Sequence, residues 1–553
     1  MAEHKGQNYL HGAAILTVGV IIMKLLGFIY KIPLGNILGD EGYSMFTSAY
    51  NIYYVFFTLA TAGLPVALSR LVAEADANGR IRQEEKTFRV ALVSFTLIGL
   101  VFAAVLFFFP HWLAAVYLEN PDAAPSVRAM APAILLVCMV SAYRGYCQGN
   151  GNMLPTTVDE VLEVLFKVIS GLVIASLVLR SYPPKHPMAL PMGSAGAILG
   201  VSIGSVVSLL YMVFYKRRHY NRLAAPYTAG VVRATGIPGD AERVDPAMKI
   251  VRDLFRIGIP VAFGACILAL LNSVDSKLCM NRLQSAAGFS YREAKVLYGV
   301  YGKAQTLFNL PAAFITPLTI SIVPAISGAL VKGERRNAAK VSEDSLRIAS
   351  VIAAPMGVGL AVLSQPIMHV LYPGSHLAGP RLLAVMGIAS FFVCLVLLEN
   401  AILQASGREK LTMLTLITGG LVKIVVNWFL VAQRPINIHG APIGTLVSYV
   451  VMAVMDYAFL CAALERHPRL GGILLKPLFA SAIMGAAAWG SYGLLERVLP
   501  IPGRLHTPLC MLAAILLAVL IYVVLMVTLR MITREDMALI PGGDKLARLL
   551  RMH

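Results

Sequence analysis

The sequence predicts an all-α, polytopic membrane protein with 14 transmembrane helices, built as two six-helix lobes related by internal duplication plus two C-terminal helices. Three observations carry that prediction. Of the 553 residues, 58% are hydrophobic and only 14% are charged, with a mean hydropathy of +0.72. A soluble protein carries about 25% charged residues, so an ordinary water-soluble enzyme is excluded. Next, the apolar residues fall into long stretches of the roughly 20 residues that cross a bilayer core about 30 Å thick. Finally, features of the first half recur about 256 residues later in the second.

The stretches lie near 12–33, 43–69, 90–109, 129–147, 158–179, 193–215, 257–280, 296–330, 348–371, 382–404, 412–432, 440–464, 474–495 and 508–529. Lipid offers the backbone no hydrogen-bond partner, so each stretch must be a helix. They are too long and too uniformly apolar for the ten-residue alternating strands of an outer-membrane barrel. The first has no small-residue cleavage site behind it and reads as a retained helix rather than a signal peptide. The eighth is longer than one crossing needs and contains Pro311, Pro317 and Pro324. Proline removes an amide donor and kinks a helix, so this segment is expected to be bent or broken.

Net charge is +18, from 47 Lys+Arg against 29 Asp+Glu. A basic excess can mark nucleic-acid binding, but here it collects in alternate loops. Arg70, Arg80, Arg82, Lys86 and Arg89 follow segment two, and Lys216, Arg217, Arg218, Arg222, Arg233, Arg243, Lys249, Arg252 and Arg256 follow segment six. Lys332, Arg335, Arg336, Lys340 and Arg347 follow segment eight, and Arg530, Arg534, Lys545, Arg548 and Arg551 lie in the tail. The positive-inside rule places these loops and both termini in the cytoplasm, which requires an even number of crossings. The charge is then topological, and no nucleic-acid partner is predicted.

The repeat is seen where segment four ends in Gly145-Tyr-Cys-Gln148-Gly-Asn-Gly151 and segment ten in Ala401-Ile-Leu-Gln404-Ala-Ser-Gly407. One shift of 256 residues superposes Gln148 on Gln404, Gly151 on Gly407, Thr156 on Thr412 and Lys167 on Lys423. Gly63-Leu-Pro65-Val-Ala-Leu-Ser69 also resembles Ile322-Val-Pro324-Ala-Ile-Ser327. The predicted organisation is an N-lobe at 1–215, a basic cytoplasmic linker at 216–250, a C-lobe at 251–465, and the last two helices with a basic cytoplasmic tail at 466–553. The Gly-rich turns at 149–151 and 406–407 read as helix-ending chemistry rather than binding loops. Paired half-bundles are the architecture of alternating-access transporters.

A charge in mid-membrane costs from a few to more than ten kcal/mol and so faces a cavity or a partner. Lys24, Lys167 and Lys423 are central in segments one, five and eleven, Lys303 is early in segment eight, and Lys31 is near the outer end of segment one. Snorkelling to the interface is the competing reading, strongest for Lys31. Glu163 precedes Lys167 by four residues, a spacing that puts both on one helical face as an ion pair. Asn427 stands at the same spacing after Lys423, and Asp275 lies near the end of segment seven. The five lysines are the predicted cationic cavity, with Glu163, Asn427 and Asp275 as auxiliary polar groups and Pro65, Pro311 and Pro324 as helix bends. Such a cavity suits an anion, because a desolvated phosphate needs cationic donors. The cysteines form no CxxC and the histidines no HExxH, and no GxSxG or P-loop is present. Neither an enzyme, a resident metal nor a cofactor is predicted.

The fourteen-helix pattern, the duplicated halves, Lys24-Leu-Leu-Gly27-Phe-Ile-Tyr-Lys31-Ile-Pro33, Gly63-Leu-Pro65 and Asn309-Leu-Pro311 together resemble the multidrug/oligosaccharidyl-lipid/polysaccharide exporter superfamily. Within it the chain looks most like the stage V sporulation protein B and lipid II flippase branch. The resemblance implies a flippase in the bacterial cytoplasmic membrane, carrying an undecaprenyl-pyrophosphate-linked sugar by alternating access. It implies membrane lipids and a lipid-linked anionic oligosaccharide as partners, with envelope-synthesis enzymes beside them and a monomeric chain. The branch holds pyrophosphate with basic residues on helices one, two and eight, and Lys24 falls at one such position. The second basic position of that motif is Tyr30 here with Lys31 beside it, segment two has no basic residue before Arg70, and segment eight aligns near Thr306 with Lys303 one turn earlier. Relatives with a sodium site use an acid on helix seven and Asn/Asp on helix eleven, for which Asp275 and Asn427 are the candidates, with Lys423 competing for the cation's place. The resemblance also implies a lipid-tail groove formed by helices thirteen and fourteen.

Two rival functions remain. A cation-coupled multidrug exporter of the same superfamily would need an acid in the first helix, and residues 12–33 contain none. A non-transporting scaffold for envelope assembly would act through the linker at 216–250.

Overall fold

The structure, a computed structural model, describes residues 2–183, 185–235, 244–463, 470–498 and 505–531. Among them every regular element is helical. The main helices are α1 (Ala2–Ala62), α2 (Leu64–Ala77), α3 (Ile81–Phe108), α4 (Ala131–Gly149), α5 (Leu154–Ser181), α6 (Ala189–Thr235), α7 (Ala247–Ser285) and α8 (Tyr291–Phe308). They continue with α9 (Leu310–Val331), α10 (Arg335–Val362), α11 (Ser364–Leu371), α12 (Gly379–Ala405), α13 (Glu409–Leu430), α14 (Gly440–Ala463), α15 (Leu470–Val498) and α16 (His506–Thr528).

Thirteen helices among the described residues are long and apolar enough to cross a membrane. The first of these, Val18–Ala77, has 60 residues, about 90 Å at 1.5 Å per residue, and covers both the first and second predicted segments. It is interrupted at Gly39, whose φ of 64° and ψ of −173° lie outside the helix, in a region that glycine alone occupies readily. The break folds α1 back on itself, so that Tyr30 meets Phe46 edge to face at 6.1 Å. The side chains of α16 fit a lipid setting, with Leu512, Leu516, Leu520 and Val524 all exposed. In water such a face would be an aggregation hazard, whereas lipid solvates it.

The chain divides into two compact units, Met1–Met280 and Asn281–His553. In the first, α5 packs along α6, α3 along α4, and α1 against α5 and α6. Its core joins Leu34, Leu38, Phe46, Tyr53, Leu106, Ile134 and Ile198. Helix α7, which the sequence repeat assigns to the C-lobe, belongs to this unit as far as Met280, and its Gly258 and Ala262 lie directly against Gly63. In the second unit, α12 is the central helix and contacts α8, α9, α10 and α14, while α15 pairs with α16 and α10.

Within each unit the chain turns in the same way. Among the described residues the positive-φ positions fall into pairs: Gly39 with Gly288, Gly79 with Gly333, Glu119 with Gly374, Gly151 with Gly407, and Lys185 with Asn437. Arg530, after α16, has no counterpart. The cap after α4 is made by Gly151 N–H donating to Gln148 O at 3.0 Å and Asn152 N–H to Cys147 O at 3.0 Å. The cap after α12 repeats it, with Gly407 N–H to Gln404 O at 3.0 Å and Arg408 N–H to Leu403 O at 2.9 Å. Both are left-handed glycine caps that satisfy the last carbonyls of a helix, the chemistry expected of these turns from sequence.

The breaks also share a construction. Helix α1 ends at Ala62 and α2 opens on Leu64-Pro65, while α8 ends at Phe308 and α9 opens on Leu310-Pro311. Proline is tolerated in a first turn because amides there have no intrahelical partner. The eighth segment is therefore two helices broken at Asn309. Pro324, aligned with Pro65 in sequence, lies inside α9.

Helix α6 continues past the expected end of segment six to Thr235. The rest of the predicted linker at 236–243 and the tail beyond 531, with Arg534, Lys545, Arg548 and Arg551, lie outside the described residues.

Candidate functional site

Three of the five predicted cavity lysines come together in the first unit. Lys24 and Lys31 are seven residues apart on α1, two turns, and so share one face. Lys31 lies within electrostatic reach of both Lys24 and Lys167 of α5. Its ammonium also sits 6.0 Å from the ring centroid of Tyr50, on the returning arm of α1. Among the described residues none of these three lysines makes an ion pair with a carboxylate.

Local packing fixes this cluster. Tyr30, buried beside Lys31, donates its hydroxyl to Ala197 O of α6 at 3.1 Å. The hydroxyl reaches that carbonyl past Gly171, where a Cβ would come within 2.8 Å of it. Gly200 of α6 lies against Gly171 so closely that a Cβ would be 2.4 Å from the Gly171 Cα and 2.9 Å from the Lys167 carbonyl. Two glycines thus let α5 and α6 touch backbone to backbone beside Lys167.

Glu163 does not pair with Lys167. Its Oε2 accepts from Arg144 Nη2 of α4 at 2.8 Å, and its Oε1 accepts from Ser205 of α6 at 3.2 Å. The same guanidinium holds Asp159 through Nε at 2.6 Å and approaches Glu160 at 3.7 Å. Asp159 also accepts from Ser208. Arg144 and Asp159 are buried. The sequence reading does not single out this network. The signal was available in Asp159 and Glu163, two acids on one helical face inside an apolar run, which demand a cation.

In the second unit Lys303 on α8 is 2% exposed and lies 5.1 Å from the ring centroid of Tyr372. Lys423 on α13 is within electrostatic reach of Tyr449 of α14. Asn427, one turn beyond it, is fully buried against Gly444, where a Cβ would be 1.9 Å from its Oδ1. Asp275 is buried in the first unit with Cys279 Sγ at 3.9 Å from its Oδ1. The two sodium-site candidates therefore belong to different units. Glu399 and Asp456 are buried in the second unit within electrostatic reach of each other.

One basic residue assigned to topology has a packing role as well. Lys216 is buried, with Glu85 at 2.8 Å and the rings of Phe88 and Tyr146 at 4.2 and 4.8 Å. A cavity of about 380 Å³ in the second unit is lined by Arg292, Glu293, His376 and His439 among others and holds none of the predicted site residues.

Comparison with known proteins agrees with this architecture. The uncharacterized membrane protein YabM of Bacillus subtilis is 25% identical over 547 residues, covering 98% of this chain and 96% of its own. The lipid II flippase MurJ of the same organism is 25% identical over 494 residues, covering 86% and 87%. Its stage V sporulation protein B is 25% identical over 459 residues, covering 82% and 83%. A solved structure of lipid II flippase MurJ in an inward closed conformation matches with a TM-score of 0.65 at 13% identity, over 93% of this chain and 98% of that one. An inward-facing multidrug resistance MATE transporter of the MOP superfamily matches with a TM-score of 0.61 at 14% identity, over 81% and 98%. The two structures share the fold. With a family model matching residues 9–330, the chain belongs to the polysaccharide biosynthesis protein family.

Proposed function

We propose that this multi-pass protein is a flippase of the bacterial cytoplasmic membrane. It moves a polyprenyl-pyrophosphate-linked saccharide, lipid II or a related envelope precursor, by alternating access with both termini in the cytoplasm. The observation that carries the reading is the group of Lys24, Lys31 and Lys167, with Lys31 within reach of both others and, among the described residues, no carboxylate pairing any of the three. Like charges are held together in a membrane at a cost that an anionic ligand offsets. Lys303 and Lys423 are proposed as the cationic residues of the second unit. The repeated caps and breaks support two related six-helix halves as the moving parts. The relative named as a lipid II flippase supports the choice of cargo. A multidrug exporter fits less well, because the only charged groups on the first predicted helix between 12 and 33 are lysines.

Purified protein should bind undecaprenyl pyrophosphate at least tenfold more tightly than undecaprenol, whose head is neutral. Replacing Lys24, Lys31 and Lys167 together by alanine should abolish that difference. Equal binding of the two lipids by the wild type would refute the reading.

A further inference from the structure

We infer that Arg144 is a positioning residue whose role is to keep Lys167 unpaired, by holding Glu163 away from it. The inference rests on the proposed anionic cargo. Its starting point is a conflict within α5. Glu163 and Lys167 are four residues apart with the acid first, the arrangement that favours an ion pair on one helical face. Left to itself, that pair would cancel the one cavity charge that α5 supplies.

The structure shows how the pair is prevented. Both carboxylate oxygens of Glu163 are occupied, Oε2 by Arg144 at 2.8 Å and Oε1 by Ser205 at 3.2 Å. The planar fork of arginine presents five donors in a fixed geometry and here serves several acids at once. Asp159, held by the same guanidinium at 2.6 Å and by Ser208, keeps the fork in place from the far side. Arg144 of α4 and the three acids of α5, with Ser205 and Ser208 of α6, thus form one set whose nearest acid, Glu163, is one turn from Lys167.

The second unit supplies an internal control. At the constant spacing of 256 residues that relates Gly151 to Gly407 and Lys167 to Lys423, Arg144 corresponds to Asn400 and Glu163 to Gly419. Asp159 corresponds to Thr415 and Glu160 to Leu416. All four charged members are absent there while the lysine remains. At these positions the second unit has neither the acids nor the arginine that would restrain them.

The test uses the full-length protein and its affinity for undecaprenyl pyrophosphate relative to undecaprenol. Arg144→Gln frees Glu163 to pair with Lys167 and should weaken pyrophosphate binding about tenfold or more. Adding Glu163→Gln to that variant should restore it to within about threefold of wild type. Rescue of this kind is not expected of a network that only braces the fold. A folded Arg144→Gln protein with unchanged affinity, or a double variant as weak as the single one, would overturn the inference. Should Arg144→Gln fail to fold, Glu163→Gln alone decides: affinity within about threefold of wild type is expected, and a gain of tenfold would show that Glu163 already neutralises Lys167. If the wild type shows no preference for the pyrophosphate, the functional reading and this inference fall together. A preserved preference with an unaffected Arg144→Gln removes only the inference.

Discussion

At the scale of single residues the account turns on charges that lipid would ordinarily forbid. Lys24, Lys31 and Lys167 were legible in the sequence, because a lysine inside an apolar run stands out against its neighbours. The approach of Lys167 to Lys31 was not, since it depends on α5 packing against α1. The true partner of Glu163 was equally hidden: the sequence offers Lys167 four residues away, while Arg144 arrives from another helix. A hydrogen bond to a charged group contributes about 1.5–3 kcal/mol. Lys167→Gln should therefore lower affinity for undecaprenyl pyrophosphate by roughly 10- to 100-fold, measured by ligand binding, with thermal stability close to wild type. Gly200→Ala should do the reverse. A Cβ 2.4 Å from the Gly171 Cα forces α5 and α6 apart, and overpacking of that kind costs about 1–3 kcal/mol. A clear drop in Tm is expected, and an unchanged Tm would mean that the contact is not close.

At the scale of elements, helix identity followed from apolar length, and the glycine caps from their sequence signature. Gly151 and Gly407 occupy the same backbone conformation, φ 72° in each case. Forcing an L-residue there costs about 1–2 kcal/mol. Gly151→Ala and Gly407→Ala should each lower stability by that amount, and the double variant should show the sum because the hydrogen bonds of the two caps have no residue in common. Thermal unfolding in detergent measures both. The breaks were only half legible. Prolines announce that a helix is interrupted, but Pro65 and Pro311 open the next helix one residue past the break, so the discontinuity falls at Gly63 and Asn309. The start of α8 carries a pH signature of its own. Ser290 accepts from Glu293 N–H at 3.3 Å, and the Glu293 carboxylate accepts from Ser290 N–H at 2.9 Å. The Ser290 hydroxyl, which donates to the same carboxylate at 2.8 Å, and the Ser290 N–H together hold the carboxyl below its ordinary pKa of 4.5. The cap therefore stabilises α8 above that value and is lost as pH falls through the lowered pKa. Glu293→Gln should flatten the acid limb of the stability profile by lowering stability at neutral pH while leaving it close to wild type in acid.

For the molecule as a whole, composition and span length were enough to place the chain in a membrane, and the repeat was enough to expect two related halves. The recurrence of positive-φ turns at matching places shows how deep that repetition runs: it extends to residues such as Glu119 and Gly374 whose side chains have nothing in common. Sequence comparison could not see that level, because a turn conserves a backbone conformation while its residue changes. The halves have diverged in charge. The first unit keeps an arginine and three acids beside its lysine, and the second has neutral residues at all four places. The net charge of +18 does little to identify the cargo, because most of it lies in the loops. The proposed cargo rests instead on the few lysines within the helices. The most direct test is translocation itself, in vesicles of purified protein loaded with a fluorescent undecaprenyl-pyrophosphate-linked disaccharide and probed from one side with a membrane-impermeant quencher. The account predicts transfer between leaflets well above that of protein-free vesicles, lost when Lys24, Lys31 and Lys167 are replaced by alanine. Transfer no faster than in protein-free vesicles, or transfer that survives loss of all three lysines, would contradict it.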